Sequence, residues 1–348
     1  MARLAIFEAL PALLAIIQTV SSTPLTFGGL HLRNESQPDD PVWPKTEEEL
    51  SLGNAVLINL ENFNYVRVED DGTVVVGTGI RFGDLVNIIR AAGKELTVGS
   101  CPCVGATGAM LGGGLGRLQG LYGLTSDALR KVRMALWNGT IIEASDKVNQ
   151  DLFWGIRGLG QNYGIVMEST FETWPATNGG MHYNADMIFT KDSVGRIMEI
   201  TNNLTTPALD AALSFVIFFL RRMPQRPSLG LEENMIPWAM LPTRSVLGFI
   251  PASCATGPRY NLYSAITRTL DPDSFVEFSY AFEKFMQNYP QANGSTMMVE
   301  TFPVQGIEAF PDHYSAFPHR NHFRNMIKSI GSYTDNFVAN VMDNFFRK

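Results

Sequence analysis

Gly99-Ser-Cys-Pro-Cys-Val-Gly-Ala-Thr-Gly-Ala-Met-Leu-Gly-Gly-Gly-Leu-Gly-Arg-Leu-Gln-Gly-Leu-Tyr-Gly123 holds nine glycines in 25 residues. Glycine lacks the Cβ that keeps a ligand off the backbone, and it reaches positive φ without strain. Such a density argues against a packed helix or strand. It favours backbone N–H groups laid bare to a diphosphate or an electron-rich ring. A flexible linker would be rich in Gly and Ser and poor in Leu, Met and Val; the apolar residues interleaved here point to a folded, ligand-facing loop.

The residues that follow decide between cofactors. After Leu124-Thr-Ser-Asp127, the runs Ala128–Trp137 and Thr140–Ala144 read as two strands, joined at Asn138-Gly139 by an expected type I′ turn. A nicotinamide-binding Rossmann unit needs a strand, G-x-G-x-x-G and then a helix, with an acidic residue about 20 positions further on. Here the glycines lead into a hairpin with no such helix after Gly116, which disfavours that fold.

Upstream, residues 23–50 are polar and contain proline, and Val56–Leu60, Tyr65–Val68 and Thr73–Gly77 read as strands with a turn at Asp70-Asp-Gly72. Phe82–Ala92 reads as an amphipathic helix with Leu85, Ile88, Ile89 and Ala92 on one face. Asp151–Arg157 reads as a short helix and Tyr163–Phe171 as a strand. From Gly179 the pattern changes: strand Met181–Phe189, helix Lys191–Asn203, strand Ala211–Phe219 and helix Asp273–Met286 suggest a mixed α+β domain, with helices on one sheet face. There is no internal repeat or low-complexity segment.

The chain has 348 residues, 45% hydrophobic and 18% charged, with net charge −7. Nothing in that balance suggests a nucleic-acid partner. Met1-Ala-Arg3, the apolar run Leu4–Val20 and the small residues Ser21-Ser22 predict a secretory signal peptide over residues 1–22, too short and broken for a membrane span. A secreted chain would offer Asn34, Asn203 and Asn293 as glycan acceptors. Three cysteines leave at least one without an intrachain partner. Cys101 and Cys103 are too close for an ordinary disulfide and Cys254 stands alone, so no disulfide framework is expected. The five histidines are scattered or late, and no metal site is expected.

Several motifs in consecutive order resemble the FAD-linked oxidases of the vanillyl-alcohol-oxidase, or PCMH-type, superfamily, specifically its berberine-bridge-enzyme-like branch with fungal secondary-metabolism members. They are Val56–Leu60, Val74-Val-Val-Gly-Thr-Gly79, Gly99-Ser-Cys-Pro102, Leu111–Gly116, Tyr122-Gly-Leu124 with Asp127, Asp151–Trp154, Arg157–Gly160 and Asn162–Val166, with Phe317-Pro-His-Arg320 as a later anchor. The resemblance implies an α+β protein: a PCMH-type FAD-binding domain over residues 23–176, then a mixed α+β substrate domain over 177–348. It implies FAD contacts from Gly99, Ser100, Cys101, Pro102, Val104, Gly105, Ala106 and Gly108, from Gly112, Gly113 and Gly114, and from Gly164, Ile165 and Val166. In bicovalent members the cysteine at the position of Cys101 forms a thioether to the flavin ring.

The departures from the family are equally specific. Its Arg-Ser-Gly-Gly-His diphosphate loop has no counterpart upstream of Val56; Gly28-Gly29-Leu30-His31 lacks the arginine, which leaves His31 a poor flavin anchor. The late Tyr-x-Asn-Tyr segment is not found, and the acidic position six residues beyond Arg320 is Met326. No catalytic base carries over. Two readings result: a secreted FAD-linked oxidase that takes a hydride from an alcohol, sugar or secondary metabolite and passes electrons to oxygen, or a degenerate, non-catalytic secreted relative. A shortened chain of this kind is also expected to expose apolar surface.

Overall fold

The computed structural model describes residues 26–27, 30–34, 56–220, 230–248, 250, 254, 259–321, 324–333 and 336–347. The signal-like residues 1–22 and the side chains of His31 and Asn34 lie outside this set. β1 (Thr26–Phe27), β2 (Leu30–Asn34) and β3 (Val56–Asn59) form a small antiparallel sheet in that order.

The next segment runs β4 (Val66–Val68), β5 (Val74–Gly77), α1 (Phe82–Ala91), β6 (Lys94–Glu95), α2 (Ala106–Leu111), α3 (Gln119–Tyr122), β7 (Leu129–Ala135), β8 (Ile141–Ser145), α4 (Gln150–Leu159), β9 (Ile165–Phe171) and β10 (Trp174–Pro175). Five of these strands make an antiparallel sheet ordered β4-β5-β9-β7-β8. Val74, Val76, Leu129, Val132, Met134, Val166 and Phe171 from its strands share one core with α1. That helix buries Phe82, Leu85, Val86 and Ile89, each contributing roughly 1.5–3 kcal/mol. The buried stripe starts at Phe82, and this turns Ile88 and Ala92 outward, contrary to the face expected for them.

Two local expectations are corrected. The β7–β8 hairpin does not close with a type I′ turn: Gly139 takes φ +80° while Asn138 does not adopt positive φ. Gly139 donates its N–H to Leu136 O, the pattern of a three-residue loop that ends on glycine. The Gly-rich stretch also contains two short helices, α2 and α3. Each helical glycine costs about 1 kcal/mol relative to alanine, and full burial of Ala106 and Met110 offsets that loss in α2.

The remainder comprises β11 (Met181–Ile188), α5 (Val194–Leu204), β12 (Phe215–Phe219), β13 (Gly230–Pro237), α6 (Leu241–Arg244), β14 (Arg259–Thr267), α7 (Pro272–Asn288), β15 (Thr296–Thr301), α8 (Gln305–Glu308), β16 (Asn325–Tyr333) and α9 (Asn336–Phe346). An antiparallel sheet ordered β12-β15-β16-β14 carries α5, α7 and α9 on one face. There Val194, Met198, Phe275, Phe282, Phe285, Met286, Val338 and Met342 pack with Met297 and Val299. α7 starts at an Asp271 cap that accepts the Ser274 N–H, with Pro272 in the first turn. β11 and β13 pair separately and expose Tyr183, Met187, Leu231 and Met235 on one face.

A fully buried ion pair joins the two sheets. Arg320 reaches Asp127 with both terminal nitrogens, at 2.5 and 3.0 Å, and donates also to Ser315 Oγ and Ile307 O. Asp127 in turn accepts the Leu124 N–H at 2.9 Å. α4 clamps the same segment: Arg157 donates to Tyr314 O, Trp154 Nε1 donates to His313 O, and the Phe317 N–H meets Arg157 O. Removing one partner strands a buried charge, so Arg320→Ala is expected to lower stability by roughly 3–5 kcal/mol in urea unfolding. The Asp127→Ala/Arg320→Ala double variant is expected to lose less than the sum of the two single losses.

Candidate cofactor site

The glycines of the 99–123 stretch separate into two sets when each is tested for a side chain. A Cβ on Gly105 or Gly108 would meet nothing within 4 Å, and one on Gly112 would meet only Ala109 O at 3.7 Å. Gly108 lies within α2 and Gly105 and Gly112 cap its two ends, and the three leave an open stripe that none of the described residues fills. The other set is demanded by the protein itself. A Cβ on Gly113 would strike the Phe317 ring at 2.7 Å, on Gly114 the Thr125 side chain at 2.5 Å, on Gly116 the Val98 carbonyl at 2.2 Å, and on Gly120 Pro303 at 2.3 Å.

The remaining expected positions divide in the same way. Gly99 lies against Phe82, and Gly164, at φ +152°, has Ala135 O where a Cβ would sit. Ile165 and Val166 pair with Ala135 and Met134 of β7, and the Val166 side chain belongs to the core, as does Ala106. Gly113 and Gly114 spend their carbonyls on Ser126 and Thr125 N–H. The loop that precedes α2 is fastened to the start of α1, where Phe82 N–H donates to Val104 O and Gly83 N–H to Pro102 O. Ser100, Cys101 and Pro102 are half-buried and Val104 is exposed, so this loop and the bare face of α2 form one accessible surface.

A charged cluster adjoins the loop. Arg117 donates to Ser245 Oγ at 2.7 Å and reaches Ser100 Oγ at 3.5 Å. Burial pushes its guanidinium down to about 10, opposed by the fields of Glu300 and Asp186. Asp186 accepts the N–H groups of Val246 and Leu247 at 2.8 and 3.0 Å. Both of those residues hold positive φ, which branched and bulky side chains disfavour, so this carboxylate stabilises an otherwise costly turn. Glu300 is buried, pairs with Lys328 and sits directly across from Met326 in the β15–β16 ladder. Paired residues share a sheet face, and Met326 packs in a cluster that includes Leu115 of the Gly-rich stretch. The position that offers no acid in the sequence therefore has one opposite it, which only strand register reveals.

The cysteines overturn one expectation. Cys103 and Cys254 form a disulfide across 151 residues, and Cys101 is the free thiol, half-buried. Its sulfur lies 3.2 Å from that of Cys103 and 3.6 Å from that of Cys254. The three sulfurs are close enough for a shared metal ion, but two of them are bonded to each other and so cannot act as thiolate ligands. The parity of three cysteines allowed one bridge, and a contact this distant in sequence hid which one.

Behind the stretch, the buried carboxylate of Glu95 accepts from Tyr122 at 2.7 Å and from Thr177, and His182 Nε2 stands 3.5 Å away. Burial alone would raise the Glu95 carboxyl; the nearby His182 and hydrogen bonds from Thr177 and Tyr122 together outweigh it and hold the group below its ordinary value. Burial pushes the Tyr122 phenol up to about 12. The Tyr122 ring stacks on Trp174 at 4.4 Å, which fixes the end of the glycine stretch.

Residues 44–145, which include the open stripe, match the FAD binding domain family. The chain carries an FAD binding domain and is similar over 78% of its length to a fungal FAD-linked oxidoreductase. An FAD-linked oxidoreductase of Pyricularia oryzae is 32% identical over 295 residues, covering 78% of this chain and 58% of the relative. One from Aspergillus niger is 28% identical over 323 residues, covering 83% of this chain and 68% of the relative. The chain thus spans about three fifths of the length of its Pyricularia relative. Among solved structures, a chitooligosaccharide oxidase superposes with TM-score 0.67 at 18% identity, covering 85% of this chain and 71% of its own. A berberine-bridge-enzyme-like protein of Physcomitrella patens gives 0.67 at 19%, covering 82% and 69%. These likenesses establish the PCMH-type α+β fold, and the cofactor of the family is FAD. The bare stripe on α2 fits that cofactor, since it is a cradle a Cβ would fill.

The division of the glycines is measurable on the FAD-free protein. Gly108→Ala, with open space and helical backbone, is expected to gain about 0.5–1 kcal/mol. Gly120→Ala, driven into Pro303 and the Ala211 carbonyl, is expected to lose about 1–3 kcal/mol. Thermal and urea unfolding of the two variants beside the parent chain would check both signs.

Proposed function

We propose that this chain is an oxidase that holds FAD along the bare face of α2, oxidises an alcohol, a sugar or a secondary metabolite, and uses molecular oxygen as the electron acceptor. The observation that carries the reading is the stripe Gly105, Gly108 and Gly112, which none of the described residues requires to be glycine. FAD supplies a two-electron acceptor for hydride when bound. Oxidase chemistry on a sugar is supported by the name of one structural neighbour, a chitooligosaccharide oxidase; the Met- and Phe-rich second half of the chain leans toward a more apolar substrate.

The chain's own residues supply position and charge. Gly99, Ser100, Cys101 and Pro102 form the loop beside the stripe, and Cys101 is the thiol available for a covalent bond. Arg117, tied to Ser100, sets a positive field at that loop. Glu300, buried beside Lys328 on the sheet face shared with Met326, is the carboxylate we assign as proton acceptor from substrate. Residues 1–22 would direct the chain into the secretory pathway, and the Cys103–Cys254 disulfide suits an oxidising compartment. Asn203 and Asn293 are exposed there as glycan acceptors. Among the described residues, no helix is long and apolar enough to cross a membrane.

The purified chain supplied with FAD is expected to absorb near ~450 nm, as oxidised flavins do, and to release peroxide with a substrate from a panel of sugars, alcohols and aromatic metabolites. Gly108→Ala is expected to weaken FAD at least about tenfold, equivalent to about 1.4 kcal/mol. Glu300→Gln is expected to keep the colour and slow turnover by roughly 10²–10⁴-fold. A chain that stays colourless with excess FAD contradicts the oxidase reading and leaves the degenerate relative.

A further inference from the structure

The cysteine cluster has an arrangement that a structural disulfide does not need. Cys101 and Cys103 lie on one loop, which is pinned to α1 by the Phe82 and Gly83 N–H groups. Both face the single sulfur of Cys254, which arrives from 151 residues away. The Cys101 sulfur is nearly equidistant from the two bonded sulfurs, at 3.2 and 3.6 Å. It therefore lies within van der Waals distance of Cys254, the sulfur it would attack. A Cys101–Cys103 bridge, by contrast, would close a small, strained ring over one intervening residue.

We propose that Cys101, Cys103 and Cys254 form a thiol–disulfide exchange site, in which Cys254 pairs with either of the two loop cysteines. In the forward step the Cys101 thiol gives its proton to solvent and its sulfur attacks the Cys254 sulfur. The Cys101–Cys254 bond forms as the Cys103–Cys254 bond breaks, and the electron pair leaves on Cys103, which takes up a proton. One disulfide and one thiol stand on each side, so no external oxidant or reductant is consumed. Either pairing keeps the 99–105 loop tied to Cys254. What changes is the free sulfur: Cys101 in one state, Cys103 in the other. Exchange thus controls whether the thiol beside the bare stripe is available for covalent chemistry, and the exchange itself does not depend on the oxidase reading.

Full-length protein, Cys101→Ser and Cys103→Ser are equilibrated in a glutathione redox buffer, digested without reduction and mapped by mass spectrometry. Cys101→Ser is expected to retain Cys103–Cys254, and Cys103→Ser to carry Cys101–Cys254 in more than half of its chains. The parent chain, treated with a trace of dithiothreitol and then alkylated, is expected to be labelled at both Cys101 and Cys103. The proposal is overturned if folded Cys103→Ser, judged by circular dichroism, leaves Cys101 as a thiol, a glutathione adduct or a flavin conjugate with Cys254 unjoined to it. If Cys103→Ser does not fold, the parent chain decides: label confined to Cys101 overturns the exchange.

Discussion

The contact between Asp127 and Arg320 is the constraint on which the arrangement around the candidate site depends. Both side chains are fully buried, and removing two charges from water is costly unless geometry and hydrogen bonding are excellent. Here the guanidinium meets both carboxylate oxygens and two further acceptors, while Asp127 also takes a backbone N–H. The pair fixes the Phe317-Pro-His-Arg320 turn against the Gly-rich stretch. Phe317 then lies over Gly113 and its backbone against Gly158. With that turn seated, α8 meets α3 so closely that Gly306 and Gly120 admit no side chain.

Seen this way, glycine serves two physical purposes in one run. At Gly113, Gly114, Gly116 and Gly120 it lets protein approach protein, and substitution there would collide with neighbouring atoms. At Gly105, Gly108 and Gly112 it leaves a helix and its two ends bare where none of the described residues comes close. The first purpose builds the docking of the two sheets. The second leaves an open surface beside the loop that carries Ser100 and Cys101, the surface we propose for FAD. Proximity of Arg117 to Ser100 and Ser245 links the two purposes, because one side chain spans the loop and the turn held by Asp186.

Much of this was legible in the sequence because it is local. The strands around Val74–Gly77 and Ile165–Phe171, the helix that starts at Phe82 and the helices on one face of the second sheet follow from periodicity and turn residues. The motifs containing Asp127 and Arg320 were legible singly; their pairing across 193 residues was not. The same limit applies to Cys103 and Cys254, and to Glu300 opposite Met326, since strand register is set by tertiary packing. Glycine density announced close approach without saying by what. Ile88 of α1 and Ala92 at its C-terminal end face outward because one starting residue, Phe82, sets the phase of the whole stripe.

The measurement that tests this account most directly is amide hydrogen exchange of the full chain with and without FAD. Bound FAD is predicted to protect residues 104–112, on the bare side, while residues 113–123, already packed against protein, change little. Protection confined to 113–123, or none anywhere in the stretch at saturating FAD, would contradict the assignment of the open stripe as the cofactor site.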